Sequence, residues 1–484
     1  MPKDSIKGKV ISGTKWVGLS TVIDAVIQII KLVVVARFIT KADFGIVAIL
    51  NIVLGLTSVF ADLGFSVGLI SIKNISLHAF SSVFWVQSAI FFLLYIILSL
   101  CAPFIATFYE TPAIEYLIPI SLLNLLCWCI GKLYDTLIHK AMLFRTMAIR
   151  NIVASFSSLI GIVIFCCAGF GIYSLIYSTL LSSLIVNVWN FIAGQKQVPL
   201  KFHCSIAEVK PFFKIGIYNM GTRICDYFSD KIDVIIIGKL LGMEMLGIYN
   251  IAKDLLQRVT GILRTIVSRV SLPALAKVND NNTSLKQYYC KLVNISAFIC
   301  TPICIFIMLF ANELIELMYG VKYLEAAPLM QIFGPIYILN SIGAHEGTLV
   351  SATGRTELDF YWTIIRIFLI IPLTYFTAQI SVSAIILGQY VVAIIGFIYI
   401  WRFIIFRIIS LSFIDYICYF GREVISGLVV YILLCKIIND RLLGISNFFV
   451  LIPVSAILFF FTYLIVLYIF DKKNLFSIMS MIKK

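Results

Sequence analysis

Of the 484 residues, 61% are apolar, 14% aromatic and only 13% charged, and the formal net charge is +14. This composition excludes an ordinary soluble chain and a disordered one, and describes a polytopic membrane protein. The surplus of positive charge, which in a soluble protein would suggest nucleic acid, is distributed here as a topology signal.

A bilayer core takes roughly 20 apolar residues per helical span. Fourteen stretches meet that need, starting near residues 14, 43, 83, 113, 150, 171, 212, 243, 290, 326, 360, 382, 416 and 446. The opening MPKDSIKGKV is basic, but the apolar run behind it holds Asp24 and Lys31 and shows no small-residue cleavage pattern. It reads as a retained first span rather than a removed signal peptide. With the N-terminus in the cytoplasm and spans alternating, the inside segments carry twenty-four Lys and Arg, whereas the outside segments carry six: Arg37, Lys41, Lys239, Lys322, Lys436 and Arg441. That bias puts both termini in the cytoplasm and makes the span number even. The expected organisation is a six-helix lobe over 1–195, a cytoplasmic linker over 196–211, a second six-helix lobe over 212–408, and two further helices with a basic tail over 409–484.

The seventh and eighth stretches are polar enough to escape a plain hydropathy window. The seventh, GTRICDYFSDKIDVIIIGKLLG from Gly221 to Gly242, carries Arg223, Asp226, Asp230, Lys231 and Asp233. Each charge facing lipid at mid-membrane costs roughly 2.5 to 3.5 kcal/mol, so this segment must face water, protein or a polar ligand.

A shift of 202 residues superposes the first span on this one. Asp24 falls on Asp226, Gln28 on Asp230, Lys31 on Asp233 and Arg37 on Lys239, and Phe44-Gly45-Ile46 falls on Leu246-Gly247-Ile248 without a gap. In the next span Asn51, Ser58 and Asp62 fall on Lys253, Thr260 and Arg264. Spans one and seven differ by an even number, so the two copies cross the membrane in the same direction, as a parallel repeat. Arg223, Asp226, Asp230 and Asp233 are spaced 3, 4 and 3 and form one helical stripe, as do Asp24, Gln28 and Lys31. Two lobes that turn such stripes toward each other would enclose a wet central cavity.

The candidate cavity cations are Lys31, Arg37, Arg223, Lys231, Lys239, Lys253, Arg258 and Arg264, joined by Arg269; the anions are Asp24, Asp62, Asp226, Asp230 and Asp233, joined by Asp254. Such a mixture suits an anionic head group, with Arg forks and Lys point charges for a phosphate or pyrophosphate. The acids are also candidates for a coupling ion or for gating. Ion pairing within or between helices is the competing reading, with Asp254 and Arg258 at i, i+4 the plainest case. Tyr218, Tyr227, Tyr249 and Trp16 offer sugar-stacking surface, or serve as interface anchors and packing.

The twelve Cys lie mostly in apolar runs and read as small hydrophobes. The four His are scattered with no partner at metal or catalytic spacing; His345-Glu346 in span ten is the polar pair to watch, read as packing or cavity lining. No metal-ligand spacing, Gly-rich phosphate loop or ATPase motif is present, so neither metal nor cofactor is expected, and energy must come from a gradient or from consumption of product.

The run KWVGLSTVIDAVIQIIKLVVVARFITKADFGIVAIL, followed by FADLGF at Phe60 to Phe65, resembles the N-terminal region of the Wzx-type polysaccharide flippases of the multidrug/oligosaccharidyl-lipid/polysaccharide exporter superfamily. SLPALAKV, Ser271 to Val278, resembles that family's Pro-containing end of span eight, and GVKYLEAAPLMQIFGP, Gly320 to Pro335, its entry to span ten. The likeness covers most of the chain and is nearest to exporters of colanic-acid-like polysaccharides; Tyr323 departs from it, where Trp would be expected. The resemblance implies an all-α membrane protein of two six-helix lobes in a V plus two trailing helices. It implies a bacterial inner-membrane transporter that moves an undecaprenyl-pyrophosphate-linked oligosaccharide between leaflets, with a polysaccharide polymerase and a chain-length regulator as partners. A cation-coupled drug antiporter fits the cationic stripes less well. A membrane-bound polymerase or transferase would need a larger outside loop than the chain has.

Overall fold

A computed structural model describes residues 3–62, 65–72, 75–278, 281–355, 357–439 and 448–482; side chains are described outside 3–15, 61–62, 67, 70–71, 213–222, 262–270, 272–274, 276–277, 436–439, 448–450 and 471–482. Among the described residues the chain is helical throughout, with no strand. Contacts group the chain into two units, Met1–Gly247 and Ile248–Lys484.

The first unit holds α1 (Lys3–Phe38), α2 (Lys41–Asp62), the short α3 (Phe65–Ser71), α4 (Leu77–Phe108), α5 (Ala113–Lys140), α6 (Phe144–Cys167), α7 (Tyr173–Gln195), α8 (Ile206–Leu240) and the start of α9 (Gly242–Lys277). The second holds the rest of α9, α10 (Asn282–Leu309), α11 (Ala311–Met318), α12 (Ala326–Gly343), α13 (Glu346–Thr353), α14 (Glu357–Ala378), α15 (Val382–Tyr399), a π-helical turn (Ile400–Ile405), α16 (Phe406–Ile409), α17 (Phe413–Asn439) and α18 (Phe448–Ile482).

Among the described residues, eleven helices are long and apolar enough to cross a membrane: Trp16–Phe38, Lys41–Phe60, Leu77–Phe108, Ala113–Lys140, Phe144–Cys167, Tyr173–Gln195, Asn282–Leu309, Glu357–Ala378, Val382–Ile409, Phe413–Cys435 and Leu451–Phe470. The other three expected stretches fall on α8 and α9, which carry the charged stripes, and on α12, which stops at Gly343 after 18 residues.

Local chemistry sets the helix starts. Thr40 N–H donates to Asp43 Oδ2 at 2.8 Å and Asp43 N–H donates to Thr40 Oγ1 at 3.2 Å, a reciprocal cap for α2. Ser76, Asn281 and Ser381 cap α4, α10 and α15 in the same way by accepting a backbone N–H. At the end of α3, Lys140 Nζ donates to the Leu69 carbonyl at 2.7 Å and to that of Ile72, placing a cation on orphan carbonyls.

In the first unit α5 packs on α4 and α7, α6 on α7 and α1, and α8 on α2, α3 and α4. Phe65, Leu69, Phe80, Val83, Phe84, Leu133, Tyr134, Val209 and Phe212 form one buried cluster that joins α3, α4, α5 and α8. In the second unit α10 is the hub, packing on α12 and α17, while α12 and α14 pack on α15 and α17 on α18. Lipid is as apolar as the side chains, so close backbone approach rather than hydrophobic burial is the main packing force between spans.

One such approach is governed by glycine on both sides. A Cβ on Gly45 would fall on the Met243 carbonyl, and a Cβ on Gly247 would fall on the Lys41 carbonyl. Gly45 and Gly247 are 202 residues apart, and so are Lys41 and Met243. The crossing of α2 with the start of α9 therefore maps onto itself under a shift of 202 residues.

Candidate functional site

On α1, Asp24 and Lys31 are two helical turns apart, and both meet α6. Ser155 Oγ donates to Asp24 Oδ1 at 2.5 Å, and Lys31 Nζ donates to Ser158 Oγ at 2.6 Å, which in turn donates to the Ser178 carbonyl of α7 at 3.0 Å. The spacing of Ser155 and Ser158, one helical turn, is what lets one face of α6 serve two charges of α1. Both charged groups are half-buried.

The stripe on α8 is graded in exposure. Arg223 and Asp230 are exposed, Asp226 and Lys231 half-buried, and Asp233 buried at 2% exposure, where it accepts the Val234 N–H at 2.8 Å. Tyr227, on the flank of the stripe, donates its hydroxyl to the Ile52 carbonyl of α2 at 2.6 Å, and its ring occupies the space that a side chain at Gly55 would need. Tyr227 thus ties α8 to α2, with Arg223 and Asp230 exposed on either side of it in the chain.

At the α8–α9 turn the charges are paired. Lys239 Nζ lies 2.7 Å from Glu110 Oε1 and 5.5 Å from the Phe108 ring centroid; Lys41 Nζ lies 3.7 Å from Glu244 Oε1. The hydrogen bond and charge of Lys239 hold the Glu110 carboxyl below the usual carboxylate range. Gly242 makes the turn at φ +82°, a backbone region that L side chains rarely adopt. Arg37 is exposed near the end of α1.

In the second unit Lys253 lies 5.7 Å from the Tyr249 ring centroid, and Arg258 pairs with Asp254 at 2.5 Å across one helical turn. Tyr249 is fully buried, receives a hydrogen bond from Gln389 Nε2 at 2.8 Å and packs on Phe333, so its ring is used in packing. Trp16 lies under the Arg145 guanidinium at 5.6 Å. The side chains of Asp62, Tyr218, Arg264 and Arg269 lie outside the described residues.

Further polar groupings lie outside the charged stripes. Arg150, counted there only as an inside charge, is 5% exposed and binds Asp135 of α5 at 2.5 Å, with Asn190 of α7 and the adjacent Asn151 completing its hydrogen bonds. Asp and Asn inside otherwise apolar helices were the available signal. A second pairs Ser296 of α10 with His345 at 2.6 Å, and a third joins Asn294 of α10 to Glu423 of α17 at 2.6 Å.

Comparison with known proteins places these features. Residues 34–328, more than half of the chain, match the family model described as polysaccharide biosynthesis protein. The chain is 26% identical to the teichuronic acid biosynthesis protein TuaB of Bacillus subtilis over 361 residues, 74% of each chain. It is 24% identical to the lipopolysaccharide biosynthesis protein WzxC of Escherichia coli over 368 residues, 76% of this chain and 75% of that one. Among solved structures it shares the fold of the lipid II flippase MurJ in an inward closed conformation, with a TM-score of 0.75, 16% identity, and coverage of 95% of this chain and 99% of MurJ. An inward-facing multidrug MATE transporter of the MOP superfamily superposes with a TM-score of 0.61 at 15% identity over 78% of this chain and 93% of the transporter. An all-helical, multi-pass chain with this fold, matched by that model over most of the first unit and the start of the second, belongs to the polysaccharide biosynthesis protein family.

Proposed function

We propose that the protein is a flippase for an undecaprenyl-pyrophosphate-linked oligosaccharide, carrying it from the cytoplasmic to the outer leaflet of a bacterial inner membrane for surface polysaccharide synthesis. The observation that carries the reading is the pair of charged stripes inside α1 and α8 of a chain from this family. Relatives named for teichuronic acid and lipopolysaccharide biosynthesis, and the fold shared with a lipid II flippase, support it.

In this reading Lys31, Arg37, Arg223, Lys231, Lys239, Lys253, Arg258 and Arg264 are the pool from which the pyrophosphate draws its cations, while the isoprenoid tail stays in lipid. Lys31, Lys239 and Arg258 exchange the serine and carboxylate partners described above for phosphate oxygens. Asp24, Asp62, Asp226, Asp230 and Asp233 are the acids available for coupling or gating. The lobes are 1–195 and 212–408, with 409–484 added outside the repeat and both termini in the cytoplasm. Alternating access moves the substrate with its bonds intact, and a polymerase and a chain-length regulator receive it.

The test is deletion of the gene in its native host, with assay of surface polysaccharide and of lipid-linked oligosaccharides, and complementation by wild type and by Arg223→Ala. Intact repeat units accumulating at the cytoplasmic leaflet, restored by wild type and not by an equally expressed Arg223→Ala, are expected. Unpolymerised units displayed at the outer leaflet would instead make the protein a polymerase.

A further inference from the structure

Between α7 and α8 the chain reads QKQVPLKFHCSIAEVKP, Gln195 to Pro211. Pro199 has no backbone N–H to offer a helix, and the residues from Lys196 to Ser205 run outside any helix. They are strapped to α4 all the same. Lys201 N–H donates to Ser81 Oγ at 3.1 Å and Ser205 N–H to Ser82 Oγ at 3.0 Å, while Ser82 Oγ donates to Glu208 Oε2 at 2.7 Å. Trp85 Nε1 donates to the Lys201 carbonyl at 3.0 Å, and the Tyr134 hydroxyl to the Val198 carbonyl at 3.2 Å. Val198 and Leu200 pack inward on the buried cluster of α3, α4, α5 and α8.

This strap fixes the depth of the segment. Ser81, Ser82 and Trp85 stand in the first turns of the apolar span Leu77–Phe108. At 1.5 Å per residue its 32 residues run about 48 Å, against about 30 Å of hydrocarbon, an overhang of about 9 Å at each end when shared equally. On the same measure Trp85 lies about 12 Å from the start of the helix. The segment that it holds therefore runs at the headgroup level, the depth at which tryptophan is enriched.

The strap also fixes which side chains the segment turns outward. Phe202 stacks on the Trp85 ring at 5.1 Å and 21°, yet is 96% exposed, and Ile206 is 82% exposed. Lys196, Lys201 and Lys210 of the same segment are exposed as well. Between Asp135 and Asp226 the chain carries eight Lys and Arg and a single acid, Glu208. That acid is already occupied: besides the Ser82 hydroxyl, it lies 3.3 Å from His203 Nε2, whose ring meets that of His78 edge-on at 4.7 Å. What remains outward is basic and apolar together, the pattern of a segment lying in the membrane interface. Neutral headgroups would give the lysines little, whereas each Lys near an anionic surface strengthens binding about fivefold. An acidic protein would first have to displace the headgroups that this depth places over the face.

We propose that residues 196–211 form an interfacial anchor that binds the headgroups of anionic phospholipids. Phe202 and Ile206 reach the acyl boundary, and Lys196, Lys201 and Lys210 meet the phosphates. The inference needs a membrane-spanning chain and not the flippase reading. Because the strap already holds the backbone in place, little conformational freedom is lost when lipid arrives.

The first arm is native mass spectrometry of the full chain in detergent, with added phosphatidylglycerol or phosphatidylcholine of the same acyl chains. Wild type is expected to retain phosphatidylglycerol at least about tenfold more strongly, and the combined Lys196→Gln, Lys201→Gln and Lys210→Gln variant to lose most of that preference. Lys286→Gln with Lys291→Gln, in α10, is the control for net charge. The proposal is overturned if wild type holds the two lipids equally, if the triple variant keeps the wild-type preference, or if the control loses as much. Should the triple variant fail to fold, wild type decides alone, and a preference unchanged by high salt overturns the proposal equally. The second arm places a photoreactive phenylalanine analogue at position 202 of the full chain in cells. Cross-linking to phospholipid on irradiation is expected; cross-linking to another protein, to a second copy of the chain, or to neither overturns the anchor.

Discussion

Arg150 of α6 and Asp135 of α5 form an ion pair of 2.5 Å inside the first unit, with the arginine side chain almost wholly enclosed. Removing one partner of a buried pair leaves an uncompensated charge and costs about 3 to 5 kcal/mol. Arg150→Leu is expected to lower the melting temperature in detergent by several degrees, and adding Asp135→Asn to recover part of the loss. Intrinsic fluorescence melts of the three proteins check this; a single variant that melts with wild type would show the pair to be idle.

The glycine crossing makes a symmetrical prediction. Gly45→Ala and Gly247→Ala each drive a methyl group onto a backbone carbonyl that has no side-chain freedom to yield. Overpacking of this kind costs about 1 to 3 kcal/mol. Gly18→Ala, where nothing lies within 4 Å of the added atom, is the control and should match or exceed wild type, because Ala favours the helix by about 1 kcal/mol. Parallel melts of the three variants decide it, and equal melting of all three would refute the close crossing.

At the α8–α9 turn the prediction concerns pH. Glu110 has its carboxyl pKa lowered by Lys239, so the pair is present above the ordinary carboxylate range and is lost only as pH falls through the lowered value. Lys239→Ala should therefore raise the Glu110 titration midpoint, measured by NMR of a carboxyl-labelled side chain. A midpoint that stays put would mean that the two groups do not interact in solution.

Lys140 is expected to matter locally. Lys140→Met strips the cation from the Leu69 and Ile72 carbonyls, and amide exchange over 65–72 should accelerate several-fold while exchange in α5 is unchanged. Uniform acceleration across α5 as well would assign Lys140 a global role instead.

Fold class and the positions of eleven apolar spans could be read from the sequence because lipid imposes a simple rule, a long apolar run for each crossing. The paired stretches near 150 and 171, and near 360 and 382, each separate cleanly into two helices. The charged stripes and the i, i+4 partnership of Asp254 and Arg258 were also legible, since both follow from helical period alone. What periodicity does not carry is which neighbour a stripe meets. That Asp24 and Lys31 bind serines of α6, or that Asn294 finds Glu423, depends on contacts between residues more than a hundred positions apart. The break before His345 was hidden for another reason: it contains no proline, and the polar pair beside it looked compatible with a continuous span.

The reciprocity of Gly45 with Met243 and Gly247 with Lys41 bears on how the chain arose. In a symmetric homodimer the two-fold interface is isologous, so each subunit offers the same glycine to the same carbonyl of its twin. A contact of that kind, preserved inside one polypeptide, is what fusion of two identical half-size genes leaves behind. An ancestral half-protein rebuilt from either copy would on this account pair with itself through that crossing.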